Sequence, residues 1–235
     1  MPKRKEIPEE NWDKIRSQAI TKQIMGRGIA DERVLNAFQE IPRHLILPPQ
    51  IPKELAYADR PLPIGYGQTI SQPYIVAYMT EKLDLQGNEL VLEVGTGSGY
   101  QTAILSKLAK EVLSVELIPE LAEMARINLK RLKISNAELK IGDGNEGWME
   151  NAPYDRIIIT ACVSDIPKSL MAQLNAPGKL IAPVGNDNRQ KLILYEKKPN
   201  PPNPPILDIR ELLPVMFVPM RTKADLEKMV AKEEE

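Results

Sequence analysis

Leu90-Val91-Leu92-Glu93-Val94-Gly95-Thr96-Gly97-Ser98-Gly99-Tyr100 is an apolar run that closes on an acid, breaks into three glycines and then resumes with helical spacing. The run predicts a buried strand. The glycines predict a sharp strand-to-helix turn, where positive φ and close approach of a ligand to the main chain are both permitted. A dinucleotide turn reads G-x-G-x-x-G and sets a pyrophosphate on the helix N-terminus. Here the third glycine, Gly99, comes one residue early, and Glu93 stands just ahead of Gly95. An acid at that point repels a pyrophosphate and attracts a cation. S-adenosyl-L-methionine carries an ammonium and a sulfonium and no phosphate, so it suits this turn better than NAD does. Glu93, Gly95, Gly97, Ser98 and Gly99 are therefore candidate cofactor residues, and an NAD-dependent dehydrogenase is disfavoured.

Two more acids fit the same unit. Val112-Leu113-Ser114-Val115-Glu116 reads as the next strand, ending in a carboxylate placed to accept from ribose hydroxyls. Ala137-Glu138-Leu139-Lys140-Ile141 then runs into Gly142-Asp143-Gly144, where Asp143 is expected beside the adenine. From Glu89 onward strand and helix patterns alternate. Strands are predicted near 90–94, 112–116, 137–141, 155–160, 179–184 and 190–196, and helices near 99–109, 119–132 and 167–174. This is the pattern of a Rossmann-like α/β fold, a parallel sheet with helices on both faces. Asn200 to Pro205 reads as a surface loop and Ile206 to Val218 as a final strand. The tail after Thr222 reads as a short charged helix ending in the acidic run Glu233-Glu234-Glu235.

Ahead of the turn, Trp12 to Met25 has helical spacing and is closed by Gly26 and Gly28. Asp31 is placed to cap a second helix, which Pro42 stops. Residues 42 to 73 are rich in proline and glycine with weak periodicity, and so long an irregular stretch is often functional. Ser71, just before Pro73, reads as the N-cap of a helix running to about Leu83. Residues 1–73 form a helical and covering elaboration, 74–222 the cofactor-binding core and 223–235 a charged tail, all within one compact domain.

Composition narrows the function classes. The chain has 235 residues, 43% of them hydrophobic, with a formal net charge of -1. That argues for a globular protein and against an electrostatic nucleic-acid binder. No apolar run reaches the roughly 18 residues of a membrane span, and the charged N-terminus lacks the apolar stretch of a secretory signal. One cysteine, Cys162, permits no internal disulfide and no cysteine metal cluster, and reads as an inert buried thiol. The one histidine, His44, cannot build a metal site and reads as structural. No metal is expected, and the expected compartment is the cytoplasm.

The segment Ala56-Tyr57-Ala58-Asp59-Arg60-Pro61-Leu62-Pro63-Ile64-Gly65-Tyr66-Gly67-Gln68-Thr69-Ile70-Ser71-Gln72-Pro73 closely resembles the signature of the protein-L-isoaspartate O-methyltransferase family. The glycine turn, Gly142-Asp143-Gly144, Tyr154 to Thr160 and Phe217-Val218-Pro219-Met220 match in the same order, so the resemblance spans about Ile41 to Met220. It implies a mostly monomeric cytosolic enzyme that uses S-adenosyl-L-methionine to methylate isoaspartyl peptides and proteins, with D-aspartyl residues as a further substrate. By the same resemblance Ser71 matches the active-site serine, and Gln68, Thr69 and Ile70 match the segment closing over the cofactor. Ser98, Glu116, Leu117, Asp143 and Gly144 match cofactor contacts. Tyr74 and Val76 stand where members carry histidine, and Arg221 where several have threonine.

The implied acceptor is an α-carboxylate, which is ionised at neutral pH because such a group ordinarily titrates near about 3.5. It needs no general base, which agrees with a single histidine. Ser71 then orients the acceptor, a role compatible with capping because both use a helix N-terminus facing an anion. Asp59 and Arg60 read as a structural ion pair or turn, and Tyr57 and Tyr66 as groove or packing residues. Two alternatives share the glycine turn: a methyltransferase for small molecules or RNA, and a binding module without turnover. The 56–73 signature argues against the first. The joint presence of Ser71, Glu93, Glu116 and Asp143 argues against the second.

Overall fold

The computed structural model describes residues 7–186, 189–199 and 206–227. The predicted loop at 200–205 and the acidic run at 233–235 lie outside these residues. The described part of the tail, 223–227, is helical.

The first helix, α1 (Glu9–Ala19), continues through one π-helical turn at 20–24 and a 3₁₀ turn to Arg27. Ser17 and Thr21 each donate a hydroxyl to the carbonyl four residues back, competition with the backbone that bends helices. Gly28 ends the run at φ 93°. Helix α2 (Glu32–Glu40) starts as expected, with the Asp31 carboxylate accepting from the amides of Arg33 and Val34. Sequence reading assigned no regular structure to 42–73, yet a hairpin lies inside it. Strand β1 (Leu62–Gly65) pairs antiparallel with β2 (Gln68–Ile70) across Tyr66-Gly67. Strands of four and three residues, with Pro63 inside the first, leave too little alternation to be seen. Helix α3 (Pro73–Leu83) follows.

Five parallel strands then build the sheet: β3 (Leu90–Val94), β4 (Glu111–Glu116), β5 (Ala137–Ile141), β6 (Tyr154–Ile159) and β7 (Leu174–Asn186). They are joined through α4 (Tyr100–Ser106), α5 (Pro119–Arg131) and α6 (Lys168–Gln173). Two more strands, β8 (Arg189–Lys198) and β9 (Ile206–Val215), complete the order β5-β4-β3-β6-β7-β8-β9. The expectation of a wholly parallel sheet is corrected here, because β8 and β9 run antiparallel. Asn186 pairs directly with Arg189, and so short a link makes a hairpin, whereas a parallel crossover needs a dozen residues or more.

The inner strands are buried on both faces, which is why they read as continuous apolar runs. Val91, Ile158 and Ile181 face one cluster, which also contains Ile24, Val34, Val76 and Ile104 from the helices. Leu92, Ile157 and Leu180 face another, shared with Leu170 of α6. The N-terminal helices and the sheet thus share one core cluster. His44 is fully enclosed, its ring stacked 4.5 Å from that of Trp12 and its Nδ1 2.8 Å from the Tyr57 hydroxyl, as expected of a structural histidine. Cys162 is buried. Among the described residues no helix is long and apolar enough to cross a membrane, and no group of three or more acidic, histidine or cysteine side chains is placed to hold a metal.

Candidate active site

Strand order reverses between β3 and β6, so a crevice opens beyond their carboxyl ends, where open α/β sheets take ligands. The glycine turn forms its floor. Gly95, Gly97 and Gly99 have φ of 96°, 55° and 83°, values that only glycine adopts freely. A Cβ on Gly95 would collide with Thr160 Oγ1. That hydroxyl instead donates to the carbonyls of Val94 and Gly95 at 3.0 and 2.6 Å, locking the turn to the end of β6. Gly99 has a structural part: it is the N-cap of α4 and packs on Ala125 of α5.

The cleft above the turn encloses about 600 Å³ of space open to solvent. Of the residues singled out in the sequence it brings together Gln68, Thr69, Gly95, Gly97, Glu116, Leu117 and Gly144. Glu116 ends β4 as expected, with one carboxylate oxygen accepting from Gly97 N at 2.8 Å and the other from Ile118 N at 3.0 Å. Burial raises its carboxyl above the usual range, against the pull of amide hydrogen bonds from Ile118, Gly97 and Leu117. The amide a pyrophosphate would seek is thus taken by a carboxylate. Each oxygen retains a lone pair for a ligand hydroxyl. This donor set fits a nucleoside that brings ribose hydroxyls and no phosphate, such as S-adenosylmethionine.

Ile70, Ser71 and Ser98 line a recess beside the cleft, and besides Gly99 two sequence candidates, Glu93 and Asp143, line neither space. Glu93 is wholly buried beneath the turn, where one oxygen accepts from the hydroxyls of Thr102 and Ser114 and the other has no partner among the described residues. Burial pushes its carboxyl up to about 8, with Thr102 and Ser114 opposing. It is therefore a neutral acid at pH 7, and the expectation that it attracts a cation is corrected. Asp143 is also turned away. Its Oδ1 accepts from the backbone and side-chain nitrogens of Asn145 and its Oδ2 from Lys223 N, a tie to the tail. Burial alone would raise its carboxyl, but these hydrogen bonds outweigh it and hold Asp143 below the usual range.

Ser71 follows β2, where a recess lined by Ile70, Ser71, Val76 and Ser98 meets a groove that encloses about 990 Å³ of space open to solvent. The groove runs between the start of α3 and residues 213–217. Thr69 lines cleft, recess and groove alike, so the three spaces share one wall. Ser71 is not the helix cap. Gln72 holds that position and makes no capping bond. The free amide of Tyr74 is taken by Asp59 Oδ1 at 3.2 Å, while Asp59 Oδ2 accepts from Gln72 Nε2 and Arg27 Nη1, both at 2.9 Å. Asp59 thus pairs with Arg27, not with Arg60. Arg43 fixes the other side. Fully buried, its guanidinium donates to the carbonyls of Ala56 and Ser71 at 2.9 and 2.8 Å and lies over the Tyr100 ring. Burial lowers its pKa to about 10, so it remains a cation at neutral pH. The Ser71 backbone is anchored while its hydroxyl makes no hydrogen bond with the described residues.

A model of the protein-L-isoaspartate(D-aspartate) O-methyltransferase family matches residues 15–225. This chain belongs to that family. Among curated relatives it is 51% identical over 183 residues to the protein-L-isoaspartate O-methyltransferase of Methanoculleus marisnigri, covering 78% of this chain and 83% of the relative. It is 52% identical over 195 residues to that of Anaeromyxobacter dehalogenans, covering 82% and 91%. A solved protein-L-isoaspartate O-methyltransferase superposes with a TM-score of 0.78 at 30% identity, over 94% of this chain and 69% of that one. A putative Plasmodium falciparum member in complex with S-adenosyl-L-homocysteine superposes at 0.74 and 26% identity, over 90% and 98%. The fold is that of the S-adenosylmethionine-dependent methyltransferases.

Family membership leaves several site residues that sequence reading did not select. Thr160, Val218, Met220 and Arg221 line the cleft, and Arg27, Val215 and Phe217 the groove. Thr160 follows the strand next to β3 at the reversal of strand order, so the switch-point rule would have found it. Residues 218–220 reach the cleft by a short bridge to Cys162, which no local pattern announces. Tyr57 packs on His44, and Tyr66 is exposed at the hairpin turn; neither lines the groove.

Proposed function

We propose that this protein transfers a methyl group from S-adenosylmethionine to the free α-carboxylate of L-isoaspartyl residues in damaged peptides and proteins, with D-aspartyl residues as a second substrate. The single observation that supports the assignment of roles is Ser71: anchored through its backbone, unused as a cap, and shared by the cofactor side and the peptide-sized groove. The chemistry that S-adenosylmethionine supplies when bound is a methyl group carried on a sulfonium leaving group. Glu116 accepts from the ribose hydroxyls, and Gly95 and Gly97 admit the ligand against the main chain. The Ser71 hydroxyl donates to the acceptor carboxylate and aligns its second oxygen for in-line attack, the positional contribution a reaction of this type needs. The hairpin and Thr69 exclude water. No side chain removes a proton, because the acceptor is already ionised. The product ester can expel methoxide where a carboxylate would have to expel oxide, so the neighbouring amide nitrogen attacks the ester carbonyl off the enzyme, closing a succinimide and releasing methanol.

Methyl transfer to an isoaspartyl peptide should exceed transfer to its aspartyl twin by orders of magnitude, measured as labelled ester at equal peptide concentrations. The isoaspartyl backbone is one methylene longer, so a groove built around the α-carboxylate misplaces the ordinary side-chain carboxylate. Equal labelling of the two would remove the repair reading.

Glu116→Gln should weaken S-adenosylhomocysteine binding by roughly tenfold or more, since charge-assisted hydrogen bonds contribute about 1.5–3 kcal/mol. The amide nitrogen meets one of the two backbone N–H groups that the carboxylate accepted from, so the thermal midpoint should fall as well, and the affinity is read on the folded variant. Titration calorimetry giving unchanged affinity would take the ribose away from Glu116.

We also propose a monomer working in the cytoplasm. A lone buried thiol suits a reducing compartment.

A further inference from the structure

The groove that meets the cofactor cleft at Thr69, and the adjoining recess at Ser71, has an uneven chemistry. Its walls are mostly apolar, from Ile75 of α3 and from Leu213 to Phe217. Ser71, Thr69 and Gln72 supply neutral polar groups. One lining residue is charged, Arg27, which arrives from the far end of the N-terminal helical segment. Its guanidinium carbon lies over the Tyr74 ring, 3.4 Å from the centroid, and one nitrogen is held by Asp59 Oδ2 at 2.9 Å.

That arrangement is more than a surface ion pair. Asp59 does not line the groove, and its two oxygens are already occupied by Gln72, the Tyr74 amide and Arg27. Arg27 keeps about half of its side chain exposed, against a fifth for Asp59. The acid therefore holds one guanidinium nitrogen, and the remaining N–H donors of this half-exposed side chain make no hydrogen bond with the described residues. A planar fork with spare donors, set over an aromatic ring, is preorganised for a carboxylate, because little further freedom is lost when the contact forms. No carboxylate from the groove wall competes for it.

We propose that Arg27 is a specificity-determining residue that selects isoaspartyl peptides with a second carboxylate close to the damaged residue. That carboxylate comes from an acidic side chain a few positions away. The inference rests on the proposed function and assigns the groove's charge preference within it. The acceptor carboxylate goes to Ser71, and the flanking carboxylate goes to Arg27.

The test is a set of isoaspartyl peptides with an otherwise neutral sequence, in which one glutamate or its glutamine twin is walked through the positions on either side of the isoaspartyl residue. At one or two positions the glutamate peptide should have a KM roughly three- to fivefold below its glutamine twin, the size expected of a partly exposed ion pair. The preference should shrink as ionic strength rises. It should vanish in Arg27→Met and survive in part in Arg27→Lys, whose ammonium keeps the charge but not the fork. A common fall in kcat for both twins reports the lost tie to Asp59 and leaves the ratio as the readout. Equal KM values for the twins at every position, or a preference that persists in Arg27→Met, would overturn the proposal. Methylation of the glutamine peptides in the same assay keeps that failure distinct from failure of the methyltransfer reading itself.

Discussion

Ser71→Asp yields a folded, cofactor-binding and inactive enzyme. The substitution places a carboxylate where the acceptor carboxylate must sit, and like charges sharing a site disfavour one another strongly. Ser71→Ala gives the milder case. It removes one hydrogen bond to a charged group, about 1.5–3 kcal/mol, and should cut turnover at saturating cofactor by roughly ten- to a hundredfold. Neither change should disturb α3, because its first free amide is satisfied by Asp59 and not by Ser71. Thermal unfolding should therefore move by no more than a typical surface substitution, and S-adenosylhomocysteine should bind within a few fold of its usual affinity. A folded Ser71→Asp protein with full activity would leave the serine as a spacer.

Glu93→Gln should abolish a large part of the pH dependence of stability. In the folded protein burial raises the Glu93 carboxyl to about 8, whereas an exposed glutamate titrates near 4.5. The folded state then keeps a proton that the unfolded chain releases across that window. Stability contributed by this site is complete below about pH 4.5, falls by roughly 1 kcal/mol per pH unit as pH rises, and levels off above about 8. Glutamine keeps an oxygen for Thr102 and Ser114 and cannot ionise. The variant should match its parent near pH 4.5 and exceed it by a few kcal/mol at pH 8. Denaturant unfolding at a series of pH values measures both, and an undiminished slope in the variant would assign the effect to another group.

Much of the donor side was legible in the sequence, because a glycine turn between a strand and a helix is a local event. Leu90 to Val94, the turn and Glu116 are where the spacing predicts them. The antiparallel strands β8 and β9 were legible in principle, since the gap between the predicted strands was too short for a crossover. What the sequence does not display is chemistry assembled across distance. Asp59 caps a helix fifteen residues further on, Arg43 reaches the Ser71 carbonyl, and Arg27 arrives from before α2. Each is an unremarkable polar residue in its own window. Glu93 shows the opposite error. It has the right residue type beside the turn, but strand geometry points it inward, and a fully buried carboxyl is cheaper neutral than charged.

The division of origin along the chain bears on how such an enzyme changes over time. Thr69 is the wall between two spaces built largely from different residues: the donor cleft from strand ends beyond residue 90 with Ile64, Gln68 and residues 218–221, the acceptor groove from Arg27, Pro61, residues 71–75 and residues 213–217. Mutations can therefore accumulate on the acceptor side without disturbing the methyl donor. Diversification within that shell is a route to new protein or peptide substrates on an unaltered engine, and a library for redesign can be confined to it.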